Sequence, residues 1–158
     1  MPIDFTLTAE QRELQLAARR FAQKVFADVP TAIRNEPTPQ SRLMATKPMY
    51  EQLVAEGWLK KVLPAPVGGE SNGMVDAALV AEEFYAVDAN VSLTMFAVLL
   101  GLLPVLNGGD PNQIQQAVAP FLTDSGAPLA AFCHSEPGGS ANFADPAPAE
   151  GVRSGGPR

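Results

Sequence analysis

The fold of this chain depends most on one uncharged stretch, Asn90-Val-Ser-Leu-Thr-Met-Phe-Ala-Val-Leu-Leu-Gly-Leu-Leu-Pro-Val-Leu106. Apolar residues occupy almost every angle around a helix drawn through it, which is typical of a helix buried on most sides. The stretch is shorter than the roughly 20 residues needed to cross a bilayer, and it contains Gly101 and Pro104. We therefore expect the central helix of a bundle, and no membrane anchor.

Helix signals lie on both sides of this stretch. Thr8-Ala-Glu-Gln11 is a capping box that predicts a first helix, ended near Asp28-Val29-Pro30. A second helix is predicted from Pro48 to Gly57, and a fifth begins at the N-cap Asp110. The fold class is thus mainly α, an up-down bundle of about five helices followed by a short strand.

The third predicted helix, from Met74 to Val87, sets an expectation about faces. One face in helical register contains Met74, Val75, Ala78, Leu79, Glu82 and Tyr85. Asp76, Glu83 and Asp88 are then expected to face water. Residues 30–46 show no period and are rich in Pro, Thr, Asn and Gln, so they predict a long exposed connection. Residues 64–69 predict a structured loop packed by Trp58 and Leu63.

Three regions follow from these signals. Residues 1–126 are expected to form a helical domain, and residues 127–143 to begin a β-domain with a strand at 129–133. Residues 144–158 are dense in Pro and Gly and poor in large apolar residues, which predicts a disordered tail.

The charge and composition of the chain argue against several kinds of partner and site. The net charge is −6 and is spread along the chain, which argues against a nucleic-acid partner. One cysteine and one histidine exclude an internal disulfide, and a metal site built from several cysteines or histidines. The first residues resemble neither a signal peptide nor a transit peptide, so we expect a cytoplasmic location.

The segment Leu129-Ala-Ala-Phe-Cys-His-Ser-Glu-Pro-Gly-Gly-Ser-Ala-Asn-Phe143 is the main candidate for a ligand site. An apolar strand-like run gives way to a turn with hydroxyls, a carboxylate and two glycines. Gly138 and Gly139 permit a close approach of backbone to ligand that a Cβ would prevent.

The order of these features resembles the acyl-CoA dehydrogenase and oxidase family, specifically its N-terminal helical domain and the first strand of its middle β-domain. Four stretches carry the resemblance: Phe5–Gln11, Gly57–Gly69 with its Pro and Gly loop, Asp110–Leu122, and Ala131-Phe-Cys-His-Ser-Glu-Pro-Gly-Gly-Ser140.

The resemblance implies an FAD-dependent α,β-dehydrogenation of an acyl thioester such as an acyl-CoA. It implies that the flavin is contacted by Phe132, Cys133, His134, Ser135, Glu136, Pro137, Gly138 and Gly139, and the substrate by Ser140. Ser135 stands where the family commonly has a flavin-contacting threonine. Nitroalkane-oxidising and hydroxylating relatives share this front end, so the substrate stays open.

The family's catalytic glutamate comes from a C-terminal helical domain. The resemblance therefore implies no catalytic residue in this chain, and we expect an N-terminal fragment that is inactive alone.

Several of these residues have a simpler structural interpretation. Ser135 can cap its turn through a bond from side chain to backbone. Cys133 and His134 point to opposite faces of a strand, which argues against a catalytic pair. Adjacent Glu82 and Glu83 diverge by about 100° around a helix and are expected to be solvated or salt-bridged.

Two other functions remain open. The chain could be a non-catalytic helical module whose exposed apolar face, on the fourth helix and the 129–133 strand, binds a partner chain or a second copy. It could also be a stand-alone bundle with an unrelated small ligand.

Overall fold

The structure, a computed structural model, describes residues 6–132. That part of the chain contains seven α-helices and two short 3₁₀ turns, at Ala65–Val67 and Ala119–Leu122. The helices are α1 (Ala9–Val25), α2 (Val29–Ile33), α3 (Pro39–Ala55), α4 (Trp58–Val62), α5 (Met74–Tyr85), α6 (Ala89–Gly108) and α7 (Pro111–Val118). The predicted mainly α class is confirmed.

Local capping signals locate the helix starts correctly. The Thr8 hydroxyl accepts from the Gln11 amide at 3.2 Å, and the Gln11 side chain accepts from the Thr8 amide at 3.0 Å. Asp110 and Gln113 form the same reciprocal pair at the start of α7. Each box supplies partners to backbone amides that a helix start otherwise leaves unpaired.

The connection expected at 30–46 is largely exposed, as predicted, but it is not irregular. It contains α2 and the first part of α3, because Pro30 and Pro39 each stand in the first turn of a helix, where a missing N–H costs nothing. Thr38 and Ser41 cap α3 reciprocally. Pro48, predicted to begin a helix, lies inside α3.

The core is centred on four aromatic rings. Phe21 and Phe26 from the end of α1, Trp58 from α4 and Phe84 from α5 have neighbouring ring centroids 5.0–5.5 Å apart. Edge-on and tilted pairs of this kind add to the stabilisation from buried area. The cluster joins α1 to α5, the two helices that pack most extensively on each other.

The predicted faces of α5 are largely reversed. Met74, Val75 and Tyr85 are exposed, whereas Asp76, Glu83 and Asp88 are buried. Each carboxylate has a partner: Asp76 accepts from the Asn72 amide, Glu83 from Arg19, and Asp88 from the Val91 amide. Paired carboxylates can be buried at a helix end or between helices.

The turns before and after α4 each depend on a glycine. Gly57 has a φ of +77° between α3 and α4, as expected of a helix terminator. At Gly69 an added Cβ would lie 2.0 Å from the carbonyl oxygen of Leu63. Trp58 and Leu63 are buried beneath this turn, as predicted.

Helix α6 is less buried than predicted. Val91, Ser92, Met95, Val98 and Leu102 form its buried side. Three leucines on the opposite side are about half exposed: Leu93 (60%), Leu100 (52%) and Leu103 (46%). The helix therefore has one core face and one open apolar face.

The length argument against a membrane helix is also wrong, since α6 has 20 residues. Among the described residues, α6 is long and apolar enough to span a bilayer by length and composition alone. The same test is passed by core helices of soluble proteins, and one side of α6 packs in the core.

The predicted strand at 129–133 is absent from its described part, residues 129–132, which carry no regular secondary structure. A strand requires a neighbouring strand to pair with, and residues 6–132 contain none besides one isolated bridge between Pro64 and Ser71. The tail predicted at 144–158 lies outside the described residues.

Candidate functional site

The predicted flavin-contact set begins at the last described residue. Phe132 is 47% exposed. Cys133, His134, Ser135, Glu136, Pro137, Gly138, Gly139 and the predicted substrate contact Ser140 lie outside the described residues. What the structure establishes is how the bundle directs the chain towards them.

The turn that leads to this region is fixed by polar contacts. After the last 3₁₀ turn, the Thr123 hydroxyl donates to the Pro120 carbonyl at 3.1 Å, and Asp124 pairs with Lys60 of α4 at 2.6 Å. Gly126 has a φ of +81°, in the left-handed region that favours glycine. The following residues then run back over α3 and α6.

We call residues 127–132 the exit segment, and two contacts fix it to the bundle. The Tyr50 hydroxyl of α3 donates to the Pro128 carbonyl at 2.8 Å. Gly101 of α6 lies directly beneath the backbone of Ala130 and Ala131. Neither contact was anticipated. A glycine inside an apolar helix was the available signal, because such a glycine usually has a packing reason.

The environment of Tyr50 is apolar. Only 4% of the residue is exposed, and burial raises the pKa of its phenol well above the ordinary value. The hydroxyl is therefore a neutral donor throughout the physiological range, which suits its bond to a carbonyl.

A small cavity of about 130 Å³ lies beside Tyr50, between α3, α6 and the exit segment. Its lining is mainly apolar and includes Leu43, Val91 and Leu129. The two threonine hydroxyls on its wall are already bonded within their own helices, Thr46 to the Leu43 carbonyl and Thr94 to the Asn90 carbonyl. The cavity offers apolar surface and no aimed polar group from those threonines.

A larger surface cavity of about 390 Å³ opens between the start of α1 and the turn after α4. Its polar groups are engaged with one another: Lys61 pairs with Glu70 at 3.0 Å, and Asp76 accepts from the Asn72 amide at 2.9 Å. Within residues 6–132, no group of three or more His, Cys, Asp or Glu side chains is placed to hold a metal ion.

The strongest electrostatic pair lies between α1 and α5. Both guanidinium nitrogens Nε and Nη2 of Arg19 donate to the Glu83 carboxylate at 2.7 Å. The hydrogen bond from Arg19 is the main cause that lowers the pKa of Glu83, and it raises the pKa of Arg19 in turn. Of the two roles expected for Glu83, solvated or salt-bridged, the structure shows the salt bridge, and a carboxylate engaged in this way is not a free catalytic base.

An apolar strip remains open across these features. It consists of Leu93, Leu100 and Leu103 of α6 with Leu129 (55% exposed) and Phe132 of the exit segment. The exposed face that the partner-binding hypothesis required is therefore present.

Comparisons with known proteins agree with this architecture. Residues 8–125 match the family model for the acyl-CoA dehydrogenase N-terminal domain. Nitroalkane oxidase of Fusarium oxysporum is 35% identical over 141 residues, which cover 89% of this chain and 32% of that protein. Nitroalkane oxidase of Podospora anserina is 38% identical over 143 residues, or 90% of this chain and 33% of that protein.

A solved structure of the flavoprotein nitroalkane oxidase superposes with a TM-score of 0.84 at 35% identity, covering 89% of this chain and 33% of that chain. The chain thus spans about a third of the length of the curated relatives it matches. With three quarters of its residues inside the family model and a close structural match, this chain belongs to the acyl-CoA dehydrogenase family and carries that family's N-terminal helical domain.

Proposed function

We propose that this chain supplies the N-terminal helical wall of an FAD-dependent oxidoreductase that oxidises a small carbon acid, and that a nitroalkane is its substrate. The observation that carries the proposal is the superposition of the described bundle on a flavoprotein nitroalkane oxidase, at a TM-score of 0.84 and 35% identity. Both nitroalkane oxidases match about nine tenths of this chain.

The flavin, when bound, would accept the hydride or electrons that leave the substrate carbon. The described part of the chain contains one residue of the predicted flavin set, Phe132, at the end of the exit segment. The residues described here therefore do not by themselves form a flavin cradle, and their part is to position the chain that leads to it.

The second candidate is the α,β-dehydrogenation of an acyl thioester. It is supported by the family match over residues 8–125, whose model is the acyl-CoA dehydrogenase N-terminal domain. Both candidates need a catalytic base and an enclosed site, and residues 6–132 supply neither. Within these residues, the buried carboxylate of Glu83 is engaged in a salt bridge with Arg19.

A first experiment uses the chain alone. Purified chain titrated with FAD is expected to show no stoichiometric binding in its absorbance spectrum, because the predicted contact set needs covering walls. Tight one-to-one binding would contradict the proposal that other domains complete the site.

A second experiment supplies those walls. A chimera in which this chain replaces the superposing third of Fusarium oxysporum nitroalkane oxidase is expected to retain FAD and to consume oxygen with 1-nitrohexane. The unmodified relative serves as the positive control. A folded chimera that does not retain FAD would contradict the proposed role as the N-terminal wall of the flavoenzyme. A chimera that oxidises an acyl-CoA instead would favour the second candidate.

A further inference from the structure

The exit segment contacts residues of two helices that are far apart in sequence, the side chain of Tyr50 and the backbone of Gly101. Tyr50 lies on α3 and bonds the Pro128 carbonyl, 78 residues later. Gly101 lies on α6 and contacts the two residues that follow Leu129. The segment is thus fixed from two directions just before Phe132.

The bond from Tyr50 is one that the buried hydroxyl needs. With 4% of Tyr50 exposed, moving the segment away would leave the phenol without its partner in an apolar site, which is costly. Pro128 has no N–H, so its carbonyl is the one backbone hydrogen-bonding group that this residue can offer. The contact therefore selects one position of the segment along α3.

Gly101 fixes the distance between the segment and α6. An added Cβ would lie 2.8 Å from the Ala131 nitrogen and 2.9 Å from the Ala130 carbonyl carbon, both backbone atoms that cannot turn aside. A glycine inside a helix is less stable there than alanine, so its presence at this position calls for a packing reason. Gly108, near the end of the same helix, has nothing within 4 Å of that position and shows no such contact.

We propose that Tyr50 and Gly101 are positioning residues that clamp the exit segment to the bundle and thereby set where Phe132, the described member of the predicted flavin-contact set, enters the site. The consequence for the flavin rests on the proposed function. The clamp is a property of the chain and is tested on the chain by itself.

The first test measures opening of the exit segment. Tyr50→Phe keeps the ring and removes the hydroxyl, and Tyr85→Phe is its matched control, since Tyr85 is 41% exposed. Chymotryptic cleavage at Leu129 and Phe132 under native conditions is expected to be about five to ten times faster in Tyr50→Phe than in the control. Equal cleavage rates in the two variants overturn the clamp.

The second test asks whether Gly101 acts through the same segment. In the Tyr85→Phe background Tyr50 is the one remaining tyrosine of two. After a jump to one pH unit above the ordinary tyrosine pKa of about 10, its near-ultraviolet absorbance should show no ionisation before the chain unfolds. Gly101→Ala is expected to add a fast ionisation phase, whereas Gly108→Ala is not.

A folded Gly101→Ala variant without the fast phase overturns the role of Gly101. A merely destabilised bundle would change the slow unfolding phase and leave the fast one absent. If Gly101→Ala does not fold, the cleavage comparison of the tyrosine variants still decides the clamp.

The third test concerns the flavin. In the chimera, Tyr50→Phe and Gly101→Ala are expected to weaken FAD binding about five- to tenfold, while Tyr85→Phe and Gly108→Ala leave it unchanged. Unchanged binding in all four variants overturns the positioning role even if the clamp exists. A parent chimera without flavin instead refutes the proposed function, and the chain-level tests are unaffected.

Discussion

At Glu83 a buried carboxylate meets a guanidinium that is half in water. The Glu83 side chain is 7% exposed and that of Arg19 is 51% exposed, with two bonds of 2.7 Å between them. A paired fork of this kind holds the carboxylate in one orientation. The desolvation cost falls mainly on Glu83. Removal of Arg19 should therefore lower the free energy of unfolding more than removal of one partner from a surface pair.

Replacing Arg19 by methionine tests this asymmetry. Arg19→Met is expected to lower the free energy of unfolding, though by less than the loss of one partner from a fully buried pair, because half of Arg19 is solvated. Urea unfolding at neutral pH measures it. Arg20→Met, at an exposed neighbouring position, is the matched control and should change stability by less than about 0.5 kcal/mol.

The same pair predicts a pH dependence. Arg19 lowers the pKa of Glu83, so the folded state binds this proton less readily than the unfolded chain. The pair's stabilisation is complete above the ordinary glutamate pKa of about 4.3 and is lost as the pH falls through the lower folded value. The stability difference between wild type and Arg19→Met should therefore shrink on acidification. A difference that stays constant down to acid unfolding would show that the charge is not its source.

At the scale of the helix, features set by local sequence could be predicted, whereas features set by distant partners could not. The capping boxes at Thr8 and Asp110 involve residues three apart, so the sequence alone identified both. The buried face of α5 was mispredicted because Glu83 finds its partner 64 residues away, on α1. Long-range pairing of this kind leaves no periodic signal in the helix that contains it.

The exit segment was mispredicted for a related reason. Leu129 to Phe132 have strand-like side chains, yet a strand forms only where another strand pairs with it. The signals for its actual contacts were single residues, Tyr50 and Gly101, on separate helices. The family resemblance correctly identified the helical domain, whereas the flavin contact of Phe132 stays a prediction, as do the roles of the residues beyond 132.

The N-cap residues of α6 and α7 are both aspartates but differ in burial, and this difference gives a prediction. Asp88 is 7% exposed and accepts from the Val91 amide at 2.8 Å, whereas Asp110 is exposed. Asp88→Ala is expected to cost about 2 kcal/mol, and Asp110→Ala about 1 kcal/mol. Thermal or urea unfolding of the two variants measures the order, and a larger loss at Asp110 would contradict it.

Pro48 gives a second prediction at the scale of the helix. It lies inside α3 and cannot donate to the carbonyl of Met44, which is left without that helical bond. Pro48→Ala is expected to raise the free energy of unfolding by about 1 kcal/mol or more. Pro39→Ala is the matched control, because a proline in the first helical turn gives up no bond, and it should not stabilise the chain. A loss of stability in Pro48→Ala would mean that the bundle packs around the proline.

At the scale of the whole molecule, the bundle is well packed on one side of α6 and open on the other. The open side is one helical stripe of leucines, bordered by the exit segment with its exposed Leu129 and Phe132. A strip of this kind is normally covered by protein or lipid. Cover by a partner chain or a second copy was expected for this face from the sequence, and it stays a prediction.

The last prediction separates the two faces of α6 in the chain itself. Leu93→Glu with Leu100→Glu changes two residues that are more than half exposed, so the free energy of unfolding should change by less than about 1 kcal/mol. Because the open stripe loses its apolar character, binding of an apolar-surface dye and any self-association in light scattering should both fall. Val98→Glu, on the buried face, is the matched control and should unfold the bundle by placing an unpaired charge in the core. Flotation of the wild-type chain with neutral lipid vesicles, abolished in the double variant, would instead show that the open face of α6 binds lipid, and it would contradict the prediction that a partner chain covers this face.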